Sequence, residues 1–474
     1  MLLAALAFCL LAQDPAQTPQ AGTKPATPTF AEVVKARFLE WDQDKNGELS
    51  AKEIDALCVA HRVRGEEAAA VAAIKRVVRS GKYELPPMSI AGLCKPVPSA
   101  NASKQASAQS GKAAAASDKP APAPTPVTPT PSDEARAADD ADRRDSGEPS
   151  TVATTSKPAA SGVAPAPALR KPNFQASYAS GLKKIRNTKR ALFVDDTPDI
   201  DACKQGPLGD CFFVSAVGAF AHRDPDALKR MLVAQEDGNV RARFGNGQTV
   251  IVSPLSDAEL ALSGSTGDEG LWLPVLEKAM GLLRQDANPE KYDTDTATDA
   301  IARGGSTASI VRILTGKTTE RIALKKRPRS TKKDAAGNPV LEPSKPAGDY
   351  EALAARVRQA AQSAFSERRL VTCSTLQEAQ PKGIAGKHAY AVLSYDAAAD
   401  ALHLWNPHGN THVPKGAPGL EHGYLTKAGR FAIPVADFVR VFGSLVVETA
   451  VDLPKVGDAK PSSEPAAPQP NGGK

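Results

Sequence analysis

Apolar positions along this chain follow two kinds of pattern, separated by stretches that follow neither. Phe30, Val33, Val34 and Phe38 recur at helical spacing, and Ile54 and Leu57 share a face further on, which predicts two helices flanking residues 42–53. The run Cys-Phe-Phe-Val-Ser-Ala-Val-Gly-Ala-Phe-Ala from residue 211 is apolar on nearly every face, the pattern of a helix buried in a core. Residues 386–395 alternate like a strand. After a turn at Asp396–Asp400 the segment Ala401–Trp405 resumes, predicting two strands joined tightly. By contrast, no Phe, Tyr or Trp occurs between Glu84 and Asn173, and much of that stretch is Pro-Ala and Pro-Thr repeats. Such a segment buries too little apolar area to offset the entropy of ordering it. Residues 95–173 are therefore expected to be a disordered, partly polyproline linker, and 454–474 a tail of the same kind.

Two folded zones remain: a small all-α zone at 28–94 and a larger α+β zone at 174–453, long enough for one enzyme-sized domain. Composition agrees: among 474 residues, 5% aromatics and 39 prolines exclude a chain packed throughout as one domain. The only long apolar run, Met1–Ala12, is too short to span a bilayer, so no integral membrane span is expected. It reads as the apolar core of a secretory signal, which predicts a secreted or periplasmic protein, with a cytoplasmic one as the alternative. Removing it would leave five of six cysteines, an odd number, so at least one thiol stays unpaired within the chain. A net charge of +6 is mild. The most basic stretch, Lys317–Lys333, contains no aromatic residue and is read as a solvated surface loop; no nucleic-acid partner is expected.

Residues 42–53 carry the first chemical motif. Asp42, Asp44 and Asn46 occupy positions one, three and five of a twelve-residue loop, with Gly47 at six, Glu48 at seven, Ser50 at nine and Glu53 at twelve. Side-chain oxygens at the odd positions converge on a hard cation, the glycine permits the sharp turn, position seven offers its carbonyl, and the last glutamate chelates through both oxygens. The segment resembles an EF-hand, which implies one Ca2+ site. Thirty-six residues on, Glu84, Leu85, Ile90, Leu93 and Cys94 repeat Glu48, Leu49, Ile54, Leu57 and Cys58 without the ligands. A degenerate second copy is expected, its Leu85 paired with Leu49. Cys58 and Cys94 form either a disulfide or two buried thiols. A second pair, Cys203–Cys373, is suggested by parity alone.

The second motif is Gln205-Gly-Pro-Leu-Gly-Asp-Cys211. Turn residues deliver a cysteine to the start of a buried helix, where the positive end of the dipole favours thiolate. Gln205 and the Cys211 amide are candidate donors to the oxygen of an attacked carbonyl. The predicted strand pair brings His388 beside Asn406. A cysteine, a histidine to hold its proton and an asparagine to fix the imidazole tautomer suffice for acyl transfer.

Together with Leu271-Trp272-x-x-x-Leu276-Glu277-Lys278, His388-Ala389-Tyr390, Asn406-Pro407-x-Gly409, Gly429-x-Phe431 and Asp437–Phe442, this zone resembles the calpain-type, papain-like cysteine protease core. The resemblance implies an endopeptidase acting on protein or peptide substrates, with Cys211 as nucleophile, His388 as acid–base, Asn406 as orienter and Gln205 in the oxyanion hole. Phe212 and His408 stand where the family usually has tryptophans; the latter shields the His–Asn hydrogen bond. The rival readings are a catalytically silent calcium-binding scaffold and a thiol acyltransferase of transglutaminase type, which usually has an aspartate as third member. The linker makes a direct mechanical link between the two zones unexpected.

Overall fold

The computed structural model of the protein describes residues 27–95, 169–194, 198–326, 344–378 and 380–454, with the short pieces 332–333 and 339–340. Most of the expected linker, nearly all of the expected tail and the apolar run Met1–Ala12 lie outside these residues. Four helices form the N-terminal zone: α1 (Phe30–Trp41), α2 (Ala51–Val59), α3 (Gly65–Ser80) and the single turn α4 (Ile90–Leu93). Thr29 and Ser50 begin α1 and α2 with capping boxes, each side chain accepting from the N3 amide while Glu32 or Glu53 reaches back.

The larger zone is α+β. It begins with α5 (Phe174–Asn187) and continues through α6 (Cys211–Arg223), a three-stranded antiparallel sheet β1 (Leu232–Ala234), β2 (Val240–Arg243) and β3 (Thr249–Val252), then α7 (Asp257–Leu262), α8 (Trp272–Ala287), α9 (Ala297–Ala302) and α10 (Thr307–Thr315). A six-stranded sheet follows, built from β4 (Lys317–Ala323), β5 (Val371–Ser374), β6 (Ala389–Asp396), β7 (Ala401–Trp405), β8 (Arg430–Pro434) and β9 (Ser444–Asp452). Its order is β8-β7-β6-β5-β9-β4 with every pair antiparallel. Helices α11 (Tyr350–Ser366) and α12 (Val435–Val441) cover one face.

The expected alternation in β6 gives way to five consecutive buried residues, Ala389–Leu393, because the sheet is covered on both sides. Ala389, Ala391, Leu393 and Trp405 point toward α6, whereas Tyr390, Val392, Leu402 and Leu404 join the core beneath α11 and α12. Gly218 is what lets α6 approach: a Cβ there would sit 2.5 Å from the Trp405 ring. The basic stretch also differs from expectation. Lys317–Ala323 is the edge strand β4, paired with β9, and its charged Lys317, Glu320 and Arg321 suit an edge that must not pair further.

The two zones are not held apart. Buried residues of α1–α3 belong to the same continuous core as α5, α6 and α8. Phe30 stacks on Phe174 with ring centroids 5.0 Å apart, the Tyr178 hydroxyl donates to Pro28 O at 2.9 Å, and the Ser256 hydroxyl donates to Cys58 O. A buried ion cluster crosses the junction: Lys75 of α3 meets Asp299 of α9 at 2.6 Å and also Asp55 of α2, and Arg79 reaches Asp299 at 3.6 Å. The expected lack of a direct link between the zones therefore does not hold, since they meet through a shared buried core.

The structure does not pair the N-terminal segments in the register that the sequence match suggests. Leu49 N–H donates to Met88 O at 3.0 Å, while Leu85 is exposed. The equivalent residues are the helix caps Ser50 and Ser89, three residues out of step with the sequence match. Cys58, Cys94, Cys203, Cys211 and Cys373 are all free thiols, so neither suggested disulfide is formed.

Candidate active site

Cys211 is the first residue of α6, and its side chain opens on a cleft of about 470 Å³. His388 stands at the start of β6 and Asn406 at the end of β7, on the same rim of the sheet. The strand register explains their meeting. Ala391 pairs with Trp405, and continuing that pairing three residues outward sets position 408 opposite His388, with Asn406 two residues inside and so on the same face. His388 Nε2 lies 2.8 Å from Asn406 Oδ1. The rest of the asparagine network fixes the protonation: Asn406 Nδ2 donates to Asn410 Oδ1 at 2.9 Å, and Oδ1 also accepts the His408 amide at 3.0 Å. An oxygen facing Nε2 requires the proton there, which leaves Nδ1 free to accept another.

His408 occupies the covering place expected of it. Its ring stacks on His388 with centroids 4.4 Å apart and an interplanar angle of 10°. Burial pushes its pKa down to about 4, with Lys82 adding to the shift, so the ring is uncharged near neutrality and shields like a small aromatic. His388 is itself held well below the usual histidine value, chiefly by burial and then by His408, while the Asn406 bond works against the shift.

The thiol departs from expectation. Burial pushes Cys211 up to about 11, and the backbone amides of Ala389, Phe212 and Cys211 lower it only in part. Desolvation thus outweighs the helix terminus, and the resting pair is neutral thiol and neutral imidazole. Gln205 borders the same cleft. Its Nε2 donates to Leu208 O at 2.7 Å, leaving a second hydrogen, and its backbone amide donates to Pro407 O at 2.8 Å, tying the cysteine loop to the asparagine turn.

The residue motifs missed one buried feature. Asp210, the N-cap of α6, lies fully buried beside Glu277 of α8, the side chain its carboxyl meets, and makes no capping bond to its own helix. Glu277 in turn accepts the Gly264 amide at 2.8 Å. Burial, then the neighbouring Glu277 charge, holds Asp210 well above the usual carboxylate range. Two dry carboxyls in contact share a proton rather than both ionising. Acidic residues so far apart in the sequence as positions 210 and 277 carry no signal that they will meet. Asn410 is the other residue missed, although its place four after Asn406 was the available clue.

In the N-terminal zone, Asp42, Asp44 and Glu53 bring one carboxylate oxygen each within 4.8 Å of one another. Asp42 accepts the amides of Asn46 and Gly47, and Asn46 Oδ1 accepts the amide of Glu48 at 2.8 Å, which curls the loop. Gly47 takes φ +84°, the left-handed turn expected at position six. Glu53 caps Ser50 while also accepting the amide of Gln43. This all-oxygen donor set suits a hard cation such as Ca2+.

A cysteine at the head of a buried helix, on a cleft it shares with a histidine that is hydrogen-bonded to an asparagine behind it, is an arrangement that can support thiol-dependent acyl transfer. The model for the calpain family of cysteine proteases matches residues 180–417, half of the chain, and the protein belongs to that family. A search of curated proteins finds no match.

Proposed function

We propose that the protein is a cysteine endopeptidase in which Cys211, His388 and Asn406 act together and the loop 42–53 binds one Ca2+. The observation that carries the reading is the His388 Nε2–Asn406 Oδ1 bond of 2.8 Å at the cleft that Cys211 also borders. The Cys211 thiol gives its proton to His388 Nδ1 as its sulfur attacks the peptide carbonyl. The developing oxyanion is met by the Cys211 amide and the second hydrogen of Gln205 Nε2. His388 then returns the proton to the departing amine, leaving a thioester that water hydrolyses with His388 again as base. Starting from a neutral pair, the proton moves during attack rather than before it.

Asp42, Asp44, Asn46, Glu53 and the Glu48 carbonyl are the proposed Ca2+ ligands, with Ser50 at the remaining position. The ion would neutralise the carboxylates that crowd the loop. Because Leu49 bonds directly to Met88, the loop is coupled to the segment leading to Tyr83 and the cleft. The test is cleavage of an unfolded protein by wild type and Cys211→Ala, each with Ca2+ and with chelator. Equal cleavage by both proteins ends the protease reading, and cleavage indifferent to chelator ends calcium activation.

For localisation we propose export, on Met1–Ala12. The five free thiols support the cytoplasmic alternative. Cell fractionation of the full-length chain separates the two.

A further inference from the structure

The start of the cysteine helix is framed on both sides by one short element. Gly209, two residues before Cys211, packs so closely on the end of α9 that a Cβ there would lie 3.2 Å from Ala302 O. Gly305, just past α9, lies against Phe212, the residue after Cys211, and a Cβ there would meet the Phe212 ring at 2.4 Å. Between these two contacts, Ala302, Arg303 and Gly304 line the cleft with Cys211. With six residues, α9 is too short to hold its own place. Helix α8 packs on one side of it: a Cβ on Gly281 would lie 2.0 Å from Ala297 O, and Arg284 donates to Ile301 O at 3.4 Å while its guanidinium lies 5.5 Å from the Phe212 ring centroid. The other hold comes from outside the protease zone. Lys75 of α3 is buried and meets Asp299 at 2.6 Å, and Arg79 both reaches Asp299 at 3.6 Å and donates to Thr298 O at 3.1 Å. Asp299 also closes the capping box of α9 with Thr296, so one carboxylate joins the start of this helix to α3.

We propose, on the peptidase reading of the same site, that Lys75, Arg79 and Asp299 are positioning residues for the nucleophile: α3 of the N-terminal zone fixes α9, and α9 fixes the turn that presents Cys211. Among the described residues lining the cleft none of the three occurs, so they act through α9 and not on substrate. Apolar packing between helices tolerates small slides, whereas a buried charge with a fixed partner has one favoured place. Setting register is the best-attested use of buried ionic groups, whose net gain over apolar packing is small. Gly209 and Gly305 pass that place on directly, because neither puts a side chain between α9 and the residues flanking Cys211. A slide of α9 therefore moves the turn before Cys211 or the Phe212 ring after it, and with them the sulfur relative to His388.

The test follows alkylation of the full-length protein by iodoacetamide, read at residue 211 by peptide mass spectrometry, with the urea midpoint measured beside it. In this reaction the sulfur displaces iodide as His388 takes the thiol proton, so the rate reports the Cys211–His388 geometry with no peptide bound. Asp299→Asn keeps the size and an oxygen for the capping box but removes the charge. It should slow alkylation of Cys211 about tenfold, inside the roughly hundredfold that an ångström of misplacement costs. Arg79→Lys, the milder change, should slow it less and stands in where the Asn variant fails to fold. Gly305→Ala, which drives a Cβ into the Phe212 ring without touching the ions, should slow it too. Tyr178→Phe removes a bond across the same junction, to Pro28 O, and should lower the urea midpoint while leaving the rate as in wild type. A rate unchanged in both charge variants would overturn the proposal. So would a faster rate in Asp299→Asn, since losing a negative charge by itself favours thiolate, and so would an equal fall in Tyr178→Phe, which marks general destabilisation. Turnover of an unfolded protein by wild type answers the other question. Slowed alkylation in the variants without wild-type cleavage defeats the peptidase reading alone, whereas wild-type cleavage with alkylation indifferent to the cluster defeats this inference alone.

Discussion

His388 sits where three effects meet: burial, a stacked neighbouring imidazole and a hydrogen bond to Asn406. The first two disfavour the imidazolium, so the ring remains a proton acceptor well into the acid range. With the Cys211 thiol at about 11, the neutral pair is the working form over a wide span. Plots of kcat/KM against pH should therefore have an acid limb centred below the ordinary histidine value of about 6.5. His408→Ala opens the pair to water and should raise the His388 pKa, moving that limb upward; an unmoved limb would deny His408 its shielding role. Asn406→Ala removes one hydrogen bond to the ring and should lower kcat/KM about tenfold or more, read in steady-state assays beside the wild type. Cysteine, histidine and asparagine were all legible in the sequence, because each lies in a short motif. The direction of the thiol shift was not, since the helix dipole is a local property and burial is not.

At the scale of elements, the site depends on how closely α6 lies against the sheet and on what holds its first turn. Gly218→Ala drives a Cβ into the Trp405 ring and should destabilise the fold by about 1–3 kcal/mol, measured by urea unfolding. Asp210 and Glu277 clamp the start of α6 to α8 through a shared proton, with Arg79 opposing the rise in the Asp210 pKa. Because the folded pKa of Asp210 is raised, its contribution is fully present below the unfolded value of about 3.9. It is lost as pH rises from there through the folded pKa. Asp210→Asn keeps the size and supplies its own hydrogens. Its Tm should fall less than that of wild type as pH is raised, and parallel Tm profiles would contradict the shared proton. Helices α1 and α2, the buried α6 and the β6–β7 pair were each foreseeable from periodicity. Strand β4 was not, because its charged residues belong to an edge, and edge strands look like loops when only charge is counted.

On the scale of the whole molecule, the N-terminal helices and the protease zone share one core and one buried ion cluster. Unfolding should be a single calorimetric transition, raised as one by Ca2+ if the loop 42–53 binds it; two separable transitions would show that the zones melt independently. Lys75→Ala strands Asp299 and Asp55 at that junction and should cost about 3 kcal/mol in urea unfolding. The sequence by itself determined the local chemistry: the acidic loop 42–53, the cysteine before a buried helix, the strand pair carrying His388 and Asn406, and the position of the proline-rich stretches. These follow from residue spacing, and spacing is written along the chain. Only the tertiary structure decided that α3 packs on α5 and closes one side of the cleft with Lys82 and Tyr83, that Leu49 meets Met88 instead of Leu85, and that Asp210 lies against Glu277. Those contacts join residues far apart in sequence through the burial of two amphipathic surfaces against each other, and no local pattern records which surface will cover which.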